Sequence, residues 1–266
     1  MQIIKYKWEN WIPHLVLKDE GLMKKMPLTG NDISFTLGKR MCIGFYREGK
    51  HFPCKNNRET DDKNCNECKL EDDYFFCIRC DGSQCINPKK RDECEDNFYY
   101  IYLAAFDSLL KVGISYEYRI MERLVEQGAD FGAKIARVKD GKLVREMEQK
   151  IRQEINITDR ITGRQKHGAL FCDPNNAMRN ILKAVTALKS NGFAKHMISP
   201  EIFDLREHYN LHNILTAPEQ LEMSEGTKVK GHAVATKGNL IIFRNENKFY
   251  SMNAHDLIGR EITMEI

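Results

Sequence analysis

Residues 54–97 are the stretch that most limits what this chain can fold into. Asp, Asn, Lys and Glu dominate the stretch, and its few apolar residues bury too little surface for it to fold unaided. It nevertheless holds seven of the nine cysteines. A cross-link through these sulfurs is therefore expected to replace the missing hydrophobic core. The seven are Cys54, Cys65, Cys68, Cys77, Cys80, Cys85 and Cys94.

The spacing of these cysteines favours metal binding. Cys-x2-Cys pairs begin at Cys65 and at Cys77, and such a pair lets two thiolates reach one tetrahedral ion from a single turn. Thiolate is a soft ligand that suits zinc better than magnesium. The seven thiols together with Cys42 or His51 make eight ligands, which is enough for one or two structural zinc ions. Disulfides and an iron–sulfur cluster are the alternatives that the spacing leaves open.

The absence of a long apolar run bears on the cellular compartment. The longest such run, Phe98–Phe106, is far too short to span a bilayer, and the first residues contain no apolar signal-peptide region. These features predict a cytoplasmic protein without a membrane partner. The cysteines are then expected to be reduced, which favours metal ligands over disulfides.

Composition and periodicity predict five segments. Residues 1–53 are a β region, and 54–97 are the cysteine-rich zinc-binding segment. Residues 98–190 are a core with a basic extension, 191–225 are a helical connector, and 226–266 are a second β region whose strands are expected to pack against the N-terminal ones. The predicted outer strands are Ile3–Trp11, His14–Leu17, Ile33–Phe35 and Met41–Tyr46, then Val229–Val234, Asn239–Phe243, Lys248–Ser251 and Glu261–Glu265.

The core segment reads as strand, strand, helix, strand, helix. Aromatic and branched residues predict strands over Phe98–Phe106 and Leu109–Ser115, joined by a tight turn. The period then becomes helical from Tyr116 to Gln127 and ends at a glycine. A third strand is predicted at Ala133–Val138 and a second helix at Lys142–Ile155. A further helix is predicted at Ala177–Leu188.

This order of elements, with particular residues on it, resembles the GIY-YIG nuclease core. Tyr100–Tyr102 stands where GIY would be, and Lys111–Gly113 where YIG would be. The first Gly and the second Tyr of the pattern are replaced, by Tyr and Lys. Arg123 lies on the first predicted helix and Glu148 on the second, as the Arg and Glu of that family do. The resemblance covers roughly a quarter of the chain.

The whole chain also resembles an uncharacterised, mostly archaeal family with upstream cysteines and a GIY-YIG-like centre. The run Arg123–Ala129 contributes to this resemblance. The expected fold class is therefore α/β of the α+β type. It consists of a GIY-YIG-like three-stranded sheet with helices, a zinc-stapled segment before it, and small β-structure at both termini.

The resemblance implies roles for four residues. Tyr102 would help to activate water, Arg123 would fork onto a phosphate, and Glu148 would hold Mg²⁺ or Mn²⁺. Lys111 could neutralise a bound phosphate in place of tyrosine, or it could mark a site that no longer cleaves.

Three of these residues also have an ordinary structural interpretation. Tyr102 is equally a residue that lines one face of a strand. Arg123 could form salt bridges with neighbouring glutamates at positions 122 and 126 on a solvated helix face. Glu148 could pair with Arg152 at i+4, and helical geometry alone does not choose between it and Glu146 on the opposite flank.

The core segment carries an excess of positive charge. Residues 98–190 contain 16 Lys and Arg against 11 Asp and Glu, a net charge of +5. Such an excess is typical of a surface that meets a phosphate backbone. The candidate nucleic-acid contacts are Arg119, Arg160, Arg164 and Lys166.

The sequence therefore predicts a zinc-containing, nucleic-acid-binding protein whose core cleaves phosphodiester bonds with a metal ion. Two alternatives remain open at this point. One is a non-catalytic DNA- or RNA-binding module on the same fold, and the other is a zinc-stabilised scaffold of a protein complex.

Overall fold

The computed structural model describes residues 1–190 and 193–265 and has a mixed α+β architecture. The chain divides into two compact units, of which one combines Met1–Phe75 with Tyr209–Ile266 and the other is Phe76–His208. Residues 191 and 192, at the start of the predicted connector, and residue 266, at the end of the predicted C-terminal β region, lie outside the described residues. No helix within the described ranges is long and apolar enough to cross a membrane.

The N-terminal part of the first unit consists mainly of strands whose buried and exposed residues alternate. This period of two is what a sheet with one covered face requires. The elements are β1 (Gln2–Glu9), β2 (Ile12–Asp19), β3 (Leu22–Pro27), β4 (Asp32–Arg40), β5 (Phe45–Arg47), β6 (Lys50–Phe52) and the short helix α1 (Asn66–Glu71).

The second unit is a four-stranded antiparallel sheet with helices on both faces. In chain order its elements are α2 (Arg91–Asp96), β7 (Phe98–Phe106), β8 (Leu109–Tyr116), α3 (Ile120–Gln127), β9 (Phe131–Lys139), α4 (Gly141–Glu154), α5 (Gly163–Gly168), α6 (Pro174–Ser190) and β10 (Met197–Asp204). The strand order is β10-β9-β7-β8, so β8 is an edge strand.

The two faces of this sheet carry different elements. Residues such as Ile101 on β7 pack in one core with α4 and α6, through side chains such as Met147 and Ile181. The alternate residues point to the other face, where Leu124 of α3 lies against Gly132. Tyr102 and the other even-numbered residues of β7 therefore lie on the face of the sheet that α3 covers.

The C-terminal strands return to the first unit. They are β11 (Glu219–Gln220), β12 (Lys228–Lys237), β13 (Leu240–Asn245), β14 (Lys248–Asn253) and β15 (Arg260–Met264), with the one-turn helix α7 (Ala254–Leu257) before the last. The sheet order is β11-β14-β13-β12-β4-β15-β1-β2-β3. The two predicted outer β regions are thus one nine-stranded sheet, because β4 hydrogen-bonds to β12 on one side and to β15 on the other.

The predicted strand Met41–Tyr46 is wrong over most of its length. Only Phe45–Arg47 forms a strand, and Met41 makes an isolated bridge. Gly44 turns the chain with a φ of +87°, and a Cβ there would lie 2.0 Å from the Phe52 carbonyl oxygen. The chain therefore bends where a continuous strand was predicted, since only glycine fits this approach.

The sheet of the second unit has one strand more than the three predicted. β10 pairs with β9 and lies within residues predicted as a helical connector. Proline argues against the interior of a strand, but an edge strand tolerates Pro200 where the ladder is irregular. The register with β9 shifts between Met197 and Glu201, which brackets Pro200.

Candidate metal centre and candidate active site

Four cysteines of the first unit bring their sulfurs together. The Sγ atoms of Cys42, Cys54, Cys65 and Cys68 lie within 4.8 Å of one another. A tetrahedral zinc ion with bonds of about 2.3 Å separates its sulfurs by roughly 3.8 Å. The Sγ atoms of Cys54 and Cys65 are 3.9 Å apart. The group therefore has the size and chemistry to hold a structural metal ion such as zinc.

Short elements of the first unit supply these ligands. Cys42 follows β4 and Cys54 follows β6, while Cys65 is the N-cap of α1 and Cys68 lies in its first turn. One helical turn thus presents both sulfurs of the first Cys-x2-Cys pair, as the spacing predicts. The other two ligands come from loops that the β4 and β5–β6 strands place beside that turn.

The surroundings of the sulfurs support a bound cation. Cys42 Sγ accepts hydrogen bonds from the backbone N–H groups of Cys65, at 3.1 Å, and Gly44, at 3.4 Å. Such donors orient and stabilise a thiolate ligand. The buried cysteines form a small core of their own, against which Phe45 and Cys54 are partly buried. The ligands are therefore most of the local core, and a metal ion among them would hold this region together.

The structure also selects among the predicted zinc ligands. Cys42, rather than His51, completes the group, since the His51 ring nitrogen Nε2 lies 2.6 Å from the Ile43 carbonyl oxygen. Cys77, Cys80, Cys85 and Cys94 do not belong to this group and fall in the second unit. A site filled by four sulfurs leaves no open position for water, so its chemistry is structural.

A second cluster of predicted site residues forms around Tyr102 in the second unit. Tyr102 on β7 lies directly opposite Gly113 on β8 and is 1% exposed. A Cβ added at Gly113 would lie 2.5 Å from both Cζ and Oη of Tyr102. The ring therefore occupies the space that a side chain at position 113 would take. Burial raises the pKa of Tyr102, and the positive charge of Arg123 opposes that rise.

Arg123 reaches the same place from α3. Its guanidinium acts electrostatically on the Tyr102 hydroxyl and also forms an ion pair with Glu126 at 3.5 Å. The salt bridge that the ordinary reading of Arg123 predicts is therefore present, but a half-exposed i, i+3 pair contributes little free energy. Arg123 is close to Tyr102 and still has guanidinium donors to offer a ligand.

Lys111 is buried on the same face of the sheet. It is 7% exposed, and its Nζ donates a hydrogen bond to Gln127 Oε1 at 3.1 Å. Burial, together with the nearby charge of Arg123, lowers the pKa of Lys111 to about 8, while Glu148 opposes the shift. A lysine in this setting carries a charge that a bound anion would readily stabilise.

The structure separates Glu148 from Glu146 on α4. Glu146 forms an i, i+4 ion pair with Lys150 at 2.8 Å on the solvent side. Glu148 is half-buried, and burial raises its pKa to about 7, although Arg145 and Lys111 lower it. Glu148 therefore lies on the flank that faces Lys111, which helical geometry alone did not decide.

Sequence reasoning missed Asp159 as a neighbour of this cluster. The loop after α4 runs beside β8, where Val112 N–H donates to the Thr158 carbonyl oxygen at 3.0 Å. This places Asp159 close enough to influence both Lys111 and Glu148. Asp159 also forms the ion pair with Arg152, at 3.4 Å, that had been considered for Glu148. Nothing in the local sequence distinguishes Asp159 from an ordinary loop carboxylate.

The predicted nucleic-acid contacts are placed differently from one another. Arg160 and Arg164 are exposed, and Arg160 lies near Lys111. Arg119 pairs with two glutamates of α3, at 3.4 and 3.0 Å. Lys166 is 7% exposed, and its Nζ lies 5.6 Å from the centre of the Phe106 ring, because α5 turns this side chain inward. A nucleic-acid contact would require the charge of Lys166 to be at the surface, and the buried side chain does not present it there.

The raised pKa of Glu148 predicts a pH effect on stability in protein without a divalent cation at Glu148. Glu148 binds its proton more tightly in the folded state than in the unfolded state. Protonation of Glu148 therefore stabilises the folded protein at acid pH. That contribution is lost as pH rises from about 4.5 toward 7. Glu148→Gln is therefore expected to stabilise the second unit by about 1 kcal/mol at pH 8 and to have little effect near pH 4.

Urea unfolding in buffer without Mg²⁺ or Mn²⁺, at several pH values, measures this difference. Glu146→Gln is the control, because the hydrogen bond from Lys150 lowers the pKa of Glu146 and no gain at pH 8 is expected. Equal stability of wild type and Glu148→Gln across the whole range would show that Glu148 is solvated like an ordinary surface carboxylate.

Comparison with known proteins identifies one family that the chain matches. The profile of a family described as "Protein of unknown function (DUF2797)" matches residues 30–262. The match thus includes the four-cysteine group, both Cys-x2-Cys pairs and the Tyr102 cluster. No curated protein and no solved structure matches the chain.

Proposed function

Since this chain belongs to the DUF2797 family, whose description gives no function, we propose from its own side chains that it binds nucleic acid and cleaves phosphodiester bonds. The active site would be the Tyr102 cluster of the second unit, and zinc would stabilise the first unit. One observation carries the proposal. Two strands and two helices supply the four side chains of the cluster, Tyr102, Lys111, Arg123 and Glu148. Each of these side chains is nevertheless close enough to act electrostatically on at least one of the other three.

The order of elements supports a GIY-YIG-like core for this unit. β7 and β8 form a hairpin, followed by α3, β9 and α4, with the matching residues on the corresponding elements. The position of Gly113 under the Tyr102 ring gives a physical reason for a glycine at the end of the second motif. A larger residue there would displace the tyrosine on which the site depends.

The side chains of the cluster suit an attack on a phosphodiester. Arg123 can fork onto phosphate oxygens, and Lys111 can add a second positive charge where negative charge develops. The Tyr102 hydroxyl, which burial keeps protonated, would hold and orient the attacking water. These three groups bind and position; none of them needs to form a covalent bond with the substrate.

A divalent cation fits the remaining part of the cluster. The half-buried carboxylate of Glu148, with Asp159 nearby, offers the oxygen ligands that Mg²⁺ and Mn²⁺ prefer. Positive charge at this point would also relieve the cost of ionising Glu148. When bound, such an ion polarises a phosphoryl oxygen and lowers the pKa of a coordinated water.

Lys111 favours a second candidate function, a non-catalytic nucleic-acid-binding module. Its side chain fills the position of the second motif tyrosine and is already hydrogen-bonded to Gln127. In this alternative the same positive groups, with Arg160 and Arg164, would grip a phosphate backbone without cleaving it.

A cleavage assay with the full chain tests the proposed reaction. Single- and double-stranded DNA and RNA are incubated with Mg²⁺, with Mn²⁺ and with a chelator. Metal-dependent strand scission of at least one substrate is the expected result. Binding without scission in any of these conditions supports the non-catalytic module instead.

Binding itself is expected to depend steeply on salt. Each phosphate that the second unit neutralises should give a log–log slope of roughly −0.7 for single strands and −0.9 for duplexes. Fluorescence anisotropy between about 50 and 200 mM salt, with Mg²⁺ and Mn²⁺ left out to prevent cleavage, measures the slope. Arg164→Ala should reduce its magnitude by about one phosphate's contribution, and Lys166→Met should not. A protein that binds none of the four nucleic acids at low salt points to the scaffold alternative.

A further inference from the structure

Residues 76–97, at the start of the second unit, have almost no hydrophobic core. Gly82 is the single buried residue among them, while Ile78 is 77% and Ile86 is 38% exposed. Their regular structure is limited to two single-turn 3-10 segments and the six-residue helix α2. Apolar burial therefore cannot hold this segment in one conformation.

The segment is nevertheless fitted closely onto the start of α4. Gly82, at a φ of +89°, lies so near α4 that a Cβ would be 2.4 Å from the Glu146 backbone nitrogen. Arg145 donates a hydrogen bond to the Cys80 carbonyl oxygen at 3.3 Å. Arg91 forms two hydrogen bonds, at 2.6 and 2.8 Å, to Asp140, which is the N-cap of α4. So close a fit requires something to fix the segment's own shape.

Four cysteines of this segment could do so, although no three of their sulfurs in the described part of the chain lie within 4.8 Å of one another, as those of the first unit do. Cys77 and Cys80 are joined by a 3-10 turn, and both Cys80 and Cys94 lie within electrostatic range of the Cys77 sulfur. The Cys80 sulfur lies 4.0 Å from the carbonyl oxygen of Gln84, so the chain turns back between these residues, just before Cys85. Asn87 Nδ2 donates to the Cys77 sulfur at 3.2 Å, as an outer-shell group does for a thiolate ligand.

We propose that Cys77, Cys80, Cys85 and Cys94 bind a second structural zinc ion, distinct from the one suited to the four-cysteine group of the first unit. Bonds of about 2.3 Å would draw the four thiolates into a tetrahedron around the ion. The metal replaces the core that residues 76–97 lack. Zinc binding at this site does not depend on the proposed nuclease function.

The position of the second site allows it to stabilise the N-terminal end of α4. The Cys94 sulfur packs against the first residue of α4, at 2.5 Å from where a Cβ of Gly141 would stand. Gly82 and the Arg91–Asp140 pair fix the first turns of the same helix. The zinc-bound segment therefore clamps the N-terminal end of the helix that carries Glu148, and this role in the site rests on the proposed function.

Metal and thiol counts on the full chain test the proposal. Wild type, purified under reducing conditions without added metal, is expected to contain about two zinc ions per chain. In the native protein at most one cysteine, the half-buried Cys172, is then expected to react with a thiol reagent. The double variant Cys77→Ser/Cys80→Ser should retain about one zinc ion, and Cys172→Ser should retain both.

Several outcomes would overturn the second site. One zinc ion per chain in wild type, together with four additional reactive thiols, would show that the segment holds no metal. Iron in place of zinc, or a disulfide within residues 76–97 under reducing conditions, would also exclude it. Because these measurements use wild type, the proposal can be rejected even if the double variant does not fold.

Hydrogen exchange shows whether the second zinc ion stabilises the start of α4 or only residues 76–97. Loss of the second zinc ion is expected to expose the amides of residues 76–97 and of the first turns of α4, while the four-cysteine group of the first unit stays protected. Unchanged protection of residues 141–146 in the zinc-depleted variant would contradict the clamping role but leave zinc binding itself intact.

Discussion

Replacing Glu148 with alanine is expected to lower cleavage by roughly 10²-fold or more while nucleic-acid binding survives. The reason is that Glu148 would supply the main ligand of the divalent cation, and without it the cation is lost from the site. Binding should persist because the positive groups Arg123 and Lys111 remain. Removing a carboxylate that repels phosphate should even strengthen binding slightly when no metal is present.

The matched control is Glu146→Ala. Glu146 lies two residues away on the same helix, but it faces solvent and pairs with Lys150, so cleavage should be close to that of wild type. Arg123→Ala should lower both binding and cleavage, because that side chain would contact the phosphate before and during attack. If Glu146→Ala and Glu148→Ala lose activity equally, the site is not centred on Glu148. A wild type that cuts nothing, with unaltered binding by Glu148→Ala, turns attention to Lys111.

Loss of the four-cysteine group should have the largest effect on stability. A structural zinc site contributes on the order of 10 kcal/mol. The double variant Cys65→Ser/Cys68→Ser removes both ligands that α1 supplies and is expected to unfold residues 41–75. The cause is local, because the buried cysteines are most of the core in this region and serine hydroxyls cannot replace the lost zinc–thiolate bonds.

Hydrogen exchange and thermal unfolding measure this effect, with Cys172→Ser as the matched control. Cys172 lies outside both cysteine sets, so its replacement should leave the zinc content and the unfolding temperature close to those of wild type. If a strong chelator removes zinc and residues 41–75 keep their protection, the four cysteines stabilise the unit as packed thiols rather than as metal ligands.

Local signals in the sequence were enough for the centre of the second unit. The predicted strand Phe98–Phe106 is β7 without change, and the helix predicted at Lys142–Ile155 is Gly141–Glu154. The strand is an unbroken run of aromatic and apolar residues, the helix has unbroken periodicity, and each has an end signal within one or two residues. Elements of this kind depend on nearby residues only, so they can be inferred without knowing the pairing of distant strands.

Features that depend on distant pairing were not accessible. Nothing in Ile33–Phe35 indicates that its strand would lie between β12 and β15, and Pro200 concealed the edge strand β10. Cysteine spacing identifies pairs but not the loop cysteines that complete a tetrahedron, so Cys42 and His51 could not be distinguished. Asp159 reaches the Tyr102 cluster only because the loop after α4 runs beside β8. The burial of Lys166 results from the inward orientation of its side chain on α5.

The interleaved sheet of the first unit has a consequence for synthesis on the ribosome. β4 pairs with β12, and Asp32 hydrogen-bonds to His232, 200 residues later in the chain. At roughly 5–20 residues per second, the nascent chain carries β4 without its partners for tens of seconds. The whole second unit emerges during this interval, so it can fold first. Until β12 and β15 arrive, the open edges of β4 are exposed to other chains, and we expect productive folding at high expression to depend on chaperones that cover them.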